Sequence, residues 1–147
     1  MRRSAGDSTE QRRAEHVLIA SLSRRLGVRL RPHRLELRPR GLGWLELDGY
    51  SESPLVLCEA WAHIGSPKSA QVAKVMKDAL KLLYVSKLRK GKGRRILLFA
   101  DRAAAGFFQD RGWMAQCLRA YRIEVVVASL PPGFRVGIKK AQKRQYR

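Results

Sequence analysis

Three carboxylates stand in apolar surroundings in a chain that has few of them. Glu59 interrupts the run Leu55–Ile64 (LVLCEAWAHI), and Asp48 closes the run Leu42–Asp48 (LGWLELD). Glu15 falls three residues before Leu18 and seven before Leu22, on or beside the apolar stripe of a helix. Only 12 Asp+Glu occur among 147 residues, against 31 Lys+Arg, so acids at such places need a reason. With the turn between the two runs centred near Glu52–Pro54, antiparallel pairing sets Asp48 opposite Glu59 to within one residue. Opposed side chains share a face, with Cβ atoms roughly 5 Å apart. Two carboxylates that close repel unless a cation sits between them. A hard divalent ion such as Mg²⁺ or Mn²⁺, held by oxygens and retained waters, meets that need; so does a lysine or arginine. The reading without chemistry is a solvated Asp48 and a Glu59 paired to a core cation.

The elements that must position these acids follow from the pattern. Ser8–Gln11 (S-T-E-Q) reads as a capping box. Ala14, Val17, Leu18, Leu22 and Leu26 then recur near helical spacing until Gly27. Val28–Leu37 alternates apolar and basic residues as an exposed strand or extended loop, broken by Pro32 and ended by Pro39. Leu42–Asp48 reads as a strand and Gly49–Pro54 as turn material. Leu55–Ile64, apolar on both faces, predicts a central strand covered on both sides. Ser69–Lys87 has the stripe of an amphipathic helix: Val72, Val75, Met76, Ala79, Leu80, Leu83 and Tyr84. Ile96–Ala100 predicts a strand, Ala103–Tyr121 a helix irregular at Gly112, and Ile123–Leu130 a last strand stopped by Pro131-Pro132-Gly133. Residues 1–7 and the basic tail 139–147 are expected to be flexible. The whole is a single α/β domain over 1–147, with a mixed central β-sheet flanked by helices.

Charge bounds the partner. The formal net charge of +19 favours a polyanion and argues against a cationic substrate. The cations cluster in Arg2–Arg13, Arg24–Arg40, Lys87–Arg95 and Lys139–Arg147, without the aromatic interleaving of RNA-recognition surfaces. A backbone-reading contact through Arg89, Lys90, Lys92, Arg94, Lys139 and Lys140 is the expectation. Cys58 and Cys117 lack CxxC spacing, which excludes a zinc ribbon and fits a reducing cytoplasm. No run suits a signal peptide or a membrane span, so a cytoplasmic protein with no membrane partner is expected.

The order of elements and the three acids, from about Glu10 to Leu130, resemble the restriction-endonuclease-like PD-(D/E)xK nucleases. The resemblance implies a divalent-metal-dependent nuclease hydrolysing DNA phosphodiester bonds; the scattered cations add the expectation of backbone reading with little sequence specificity. It implies Asp48 and Glu59 as metal ligands for Mg²⁺ or Mn²⁺, Glu15 as an auxiliary ligand or water anchor, and pairing of two copies to cut two strands. The family lysine two residues past the central acid is replaced by Trp61, which neither binds metal nor moves a proton. Some branches carry that lysine on the following helix, and others place a glutamine there. Gln71, Lys74, Asp78 and Lys81 form one row on that helix, at i, i+3, i+7 and i+10. Lys74 is the first candidate for the displaced lysine and Gln71 for a polar contact beside it; a solvated face is the plain reading of the same row. The missing lysine also admits a catalytically inactive nucleic-acid-binding module of the same fold.

Smaller signals have simpler readings. His63 shares the strand face of Glu59, near the strand end. Asp101, just past ILLFA, is either a strand-end site residue or the N-cap of the next helix. Gly91-Lys92-Gly93 follows a helix and precedes a strand, the reverse of a phosphate-binding loop.

Overall fold

Alternation along one strand organises the molecule. In the computed structural model, which describes residues 5–145, that strand is β3 (Leu55–Trp61). Val56, Cys58 and Ala60 face one apolar core, shared with Leu18 and Leu22 of helix α1 (Ala5–Leu26) and Ile138 of the last helix, α5 (Pro132–Gln145). Leu57 and Trp61 face the other core. There they meet Val75, Ala79 and Leu82 of α2 (Ser69–Leu88), Phe108 of α3 (Arg102–Gln109) and Leu118 of α4 (Trp113–Ala120). Glu59 occupies the position between Leu57 and Trp61 and therefore points to the α2 side.

The remaining strands are β1 (Arg31–Glu36), β2 (Trp44–Glu52), β4 (Arg94–Phe99) and β5 (Ile123–Val127), in sheet order β1-β2-β3-β4-β5. β1, β2 and β3 pair antiparallel; β3, β4 and β5 pair parallel, with helices as the crossovers. This is the expected α/β domain with a mixed five-stranded sheet between helices. Among the described residues no helix is long and apolar enough to cross a membrane.

Two glycines let neighbouring elements pack closely, one of them beside the site. A Cβ at Gly49 would meet Ile19 Cδ1 at 2.9 Å and Cys58 Cβ at 3.3 Å, so glycine beside Asp48 allows α1 to lie against β2. Gly93, at φ +94°, enters β4 where a Cβ would meet the Leu55 side chain at 2.8 Å.

Several boundaries differ from the sequence reading. α1 is already helical from Ala5, so Ser8–Gln11 lies inside it and does not open it. β2 runs four residues beyond Asp48, to Glu52, because Tyr50 is buried in the α2-side core and extends the ladder. The stretch Ala103–Tyr121 is two helices, broken at Gly112, whose φ of +95° ends the helical path. β5 stops at Val127, before Leu130. The segment expected as a frayed tail from Lys139 is helical to Gln145: Ile138 inserts into the core shared with α1, and Ala141 is buried one turn further on. Flexibility expected for residues 1–4 and 146–147 concerns positions outside the described residues.

Candidate active site

The ladder between β2 and β3 pairs Gly49 with Cys58, and one step further sets Asp48 against Glu59. The Asp48 carboxylate is anchored there: its Oδ2 accepts the backbone N–H of Ala60 at 2.8 Å. Glu59, only 4% exposed, lies beside it.

Both acids line one cavity of about 260 Å³. α1 contributes Gln11, Arg12 and Glu15 to its wall, one helical turn apart. α2 contributes Lys74, Asp78 and Lys81. These three precede Val75, Ala79 and Leu82 by one residue each, so they run along the flank of the buried stripe, Asp78 and Lys81 half-buried and Lys74 exposed. The row seen in the sequence is thus part of the cavity, except Gln71, which sits at its edge.

The strand end closes the remaining wall. Trp61 stacks on His63 with ring centroids 4.3 Å apart. His63 is buried between two amides, with Gln11 Nε2 3.2 Å from its Nε2 and Gln71 Nε2 3.3 Å from its Nδ1. The indole N–H of Trp61 is buried and has no acceptor among the described residues. Lys74 holds its amine 5.2 Å from the centre of the indole ring, within cation–π range.

It is Lys81, seven residues on, that reaches the central acid. Its Nζ lies 2.8 Å from Glu59 Oε1, as an ion pair and not a well-directed hydrogen bond. The same amine donates to the Glu46 carbonyl oxygen at 2.9 Å and is 3.9 Å from Asp78 Oδ1.

Four carboxyls meet three cations in this space, and the protonation equilibria reflect it. Burial pushes Glu59 up, to about 9; the charge of Asp48 and a hydrogen bond to it push the same way, and Lys81 only partly offsets them. Burial also raises Glu15, to about 7, helped by Asp48 and Asp78 and opposed by Lys74 and Arg12. Burial raises Asp78, against the pull of Lys81 and Lys74. Burial disfavours the Lys81 ammonium, but Glu59 and the neighbouring acids outweigh it and its pKa rises.

Asp48, Glu59, Glu15 and Lys74 are therefore brought to one cavity, with Gln71 at its rim. Sequence reasoning did not single out Arg12, Asp78 and Lys81 as site residues. The signals were present: Arg12 is three before Glu15 on the same helix face, and Asp78 and Lys81 belong to the row of Lys74.

The other expected contacts lie elsewhere. Asp101 caps α3, its Oδ2 accepting from the N–H groups of Ala104 (3.4 Å) and Gly65 (2.8 Å), while Arg135 donates to its Oδ1 at 3.0 Å. Lys90, Lys92, Lys139 and Lys140 are exposed. Arg89 donates to Tyr50 Oη at 2.8 Å and to Glu52, and Arg94 donates to both oxygens of Glu124, at 2.9 and 2.7 Å. A separate cavity of about 720 Å³ beside β5 is walled by Arg94, Arg95 and Arg119 and contains none of the clustered acids.

Two carboxylates on adjacent strands fit Mg²⁺, which is commonly held by one or two carboxylates and several waters. Among the described residues no three His, Cys, Asp or Glu side chains converge as a ready-made cage. Comparison of the chain with known protein families, with curated proteins and with solved structures gives no match.

Proposed function

We propose that the chain is a divalent-metal-dependent nuclease that hydrolyses DNA phosphodiester bonds through backbone contacts with little sequence specificity. One observation carries the reading: Asp48 and Glu59 stand side by side in a cavity that also gathers Glu15, Lys74 and Lys81. Asp48 and Glu59 would hold Mg²⁺ or Mn²⁺. When bound, such an ion lowers the pKa of a coordinated water and neutralises charge on a phosphate.

The chain's own groups divide the remaining work. The N–H of Ala60 keeps Asp48 aimed at Glu59. Glu15, with its pKa near 7, can accept a proton at neutral pH. Arg12 and Lys74 supply positive charge for a phosphate at the cavity wall. Lys81, whose amine is on Glu59, takes the part of the displaced lysine for which Lys74 is the first candidate from sequence. Gln71 keeps the His63 ring in place beside them. The buried thiol of Cys58 is compatible with the reducing cytoplasm as its location. The test is incubation with supercoiled, single-stranded and branched DNA in Mg²⁺ or Mn²⁺. Wild type should cleave and Asp48→Ala and Glu59→Ala should not; equal activity refutes the assignment.

The Lys81–Glu59 ion pair itself favours a second reading, a catalytically inactive nucleic-acid-binding module in which a lysine has replaced the metal for good. That reading requires salt-sensitive DNA binding with no cleavage and no Mn²⁺ affinity.

A further inference from the structure

We propose that Lys81 is an internal cation that occupies the metal position and yields it when a divalent ion arrives, so that Lys81 sets the metal affinity of the site. This rests on the metal-dependent reading above and adds to it the control of occupancy.

The surroundings of the Lys81 ammonium are those of a hard cation. Its three near neighbours are oxygens: Glu59 Oε1 at 2.8 Å, the Glu46 carbonyl at 2.9 Å and Asp78 Oδ1 at 3.9 Å. Carboxylate and backbone carbonyl oxygens are also the donors that Mg²⁺ and Mn²⁺ select. The ammonium and the ion therefore compete for the lone pairs of Glu59 Oε1.

The side chain is built to leave. Its stem is flexible, and its side chain is 23% exposed where that of Glu59 is 5% exposed, so Lys81 is the more accessible member of the pair. Asp78, one turn back on the same helix, offers a second anion when Glu59 is taken. Lys74 cannot serve in the same way, because its amine is over the Trp61 ring. Without a replacement cation, the departure of Lys81 removes the positive charge nearest Glu59 and Asp78, which is unfavourable. Release of Lys81 and arrival of the ion are thereby coupled, and the wild-type affinity is reduced by the fraction of molecules in which Lys81 stays put.

The experiment is calorimetric titration of Mn²⁺ into wild type, Lys81→Met, Lys81→Arg and Asp48→Asn. Lys81→Met should bind Mn²⁺ at least about tenfold more tightly than wild type, even if it cleaves no DNA, whereas Lys81→Arg should bind no more tightly. Equal or weaker binding by Lys81→Met, with wild-type binding that is lost in Asp48→Asn, overturns the role of Lys81 and leaves the metal reading standing. No Mn²⁺ binding by wild type or by Lys81→Met overturns the metal reading and this inference with it. A measurement free of any folding defect uses wild type alone: Lys81 labelling by an amine-reactive acetylating reagent, read by mass spectrometry, should increase several-fold when Mn²⁺ is added. Labelling that Mn²⁺ leaves unchanged overturns the inference.

Discussion

The carboxylate of Asp48 accepts the backbone N–H of Ala60 at 2.8 Å, so the side chain of one strand is fixed by the main chain of the next, one residue beyond Glu59. This bond holds two acids together against their repulsion, and it separates the role of the Asp48 oxygen from that of its charge.

Asp48→Asn keeps an oxygen to receive the Ala60 N–H and removes the charge that raises Glu59. Its stability should equal or exceed that of wild type in urea denaturation. Asp48→Ala leaves a buried N–H without its acceptor and should cost about 1–3 kcal/mol. Similar losses in both variants would show that the bond does not anchor the strand pair.

Stability should fall as pH rises through the acidic range. Glu15 moves from its ordinary 4.5 to about 7 in the folded chain, so the native state binds its proton more tightly than the unfolded state between those values. Protein with that preference loses stability as pH rises from about 4.5 to about 7. Glu59, raised to about 9, extends the same trend to higher pH. Glu15→Gln should match wild type near pH 4.5 and exceed it at pH 7.5 in thermal melts. A Glu15→Gln variant whose melting profile runs parallel to wild type would contradict this.

Trp61 stands where the resembled family has lysine, which makes Trp61→Lys the tempting repair. The structure argues that it fails. Trp61 is 6% exposed, packs with Leu57 and Phe99 on the α2 side of the sheet, and stacks on His63. A lysine there loses the buried ring and places a charge in the core, at a cost above about 3 kcal/mol. Trp61→Phe keeps a ring and deletes an indole N–H that has no acceptor among the described residues, so its loss should be smaller. A Trp61→Lys variant as stable as wild type would mean that this wall of the cavity is not packed as described.

The order of elements, the antiparallel and parallel halves of the sheet and the two central acids were legible in the sequence because their signals are local. The continuous apolar run in Leu55–Trp61 required two covering layers, and the turn near Ser53–Pro54 fixed the register that brings Asp48 to Glu59. What stayed hidden depended on tertiary direction. The helix α5 reads as a basic tail because only Ile138 and Ala141 are buried on a cylinder crowded with lysine and arginine, and the face they meet is α1, far away in sequence. The choice between Lys74 and Lys81 was equally open in the sequence, since both lie on one row. The aromatic ring of Trp61 holds the first amine, and the Glu46 carbonyl together with Glu59 holds the second. Arg89 shows the converse: read as a free cation in a basic loop, it is bound to Glu52 and Tyr50.

If Asp48 and Glu59 form a hydrolytic site, single-turnover cleavage of an end-labelled DNA strand by wild type and Glu59→Gln across a Mn²⁺ series reveals it. The wild-type rate should saturate with Mn²⁺ and fall at least about a hundredfold in Glu59→Gln. Equal rates for the two proteins, or no cleavage by wild type at any Mn²⁺ concentration, would contradict a hydrolytic site.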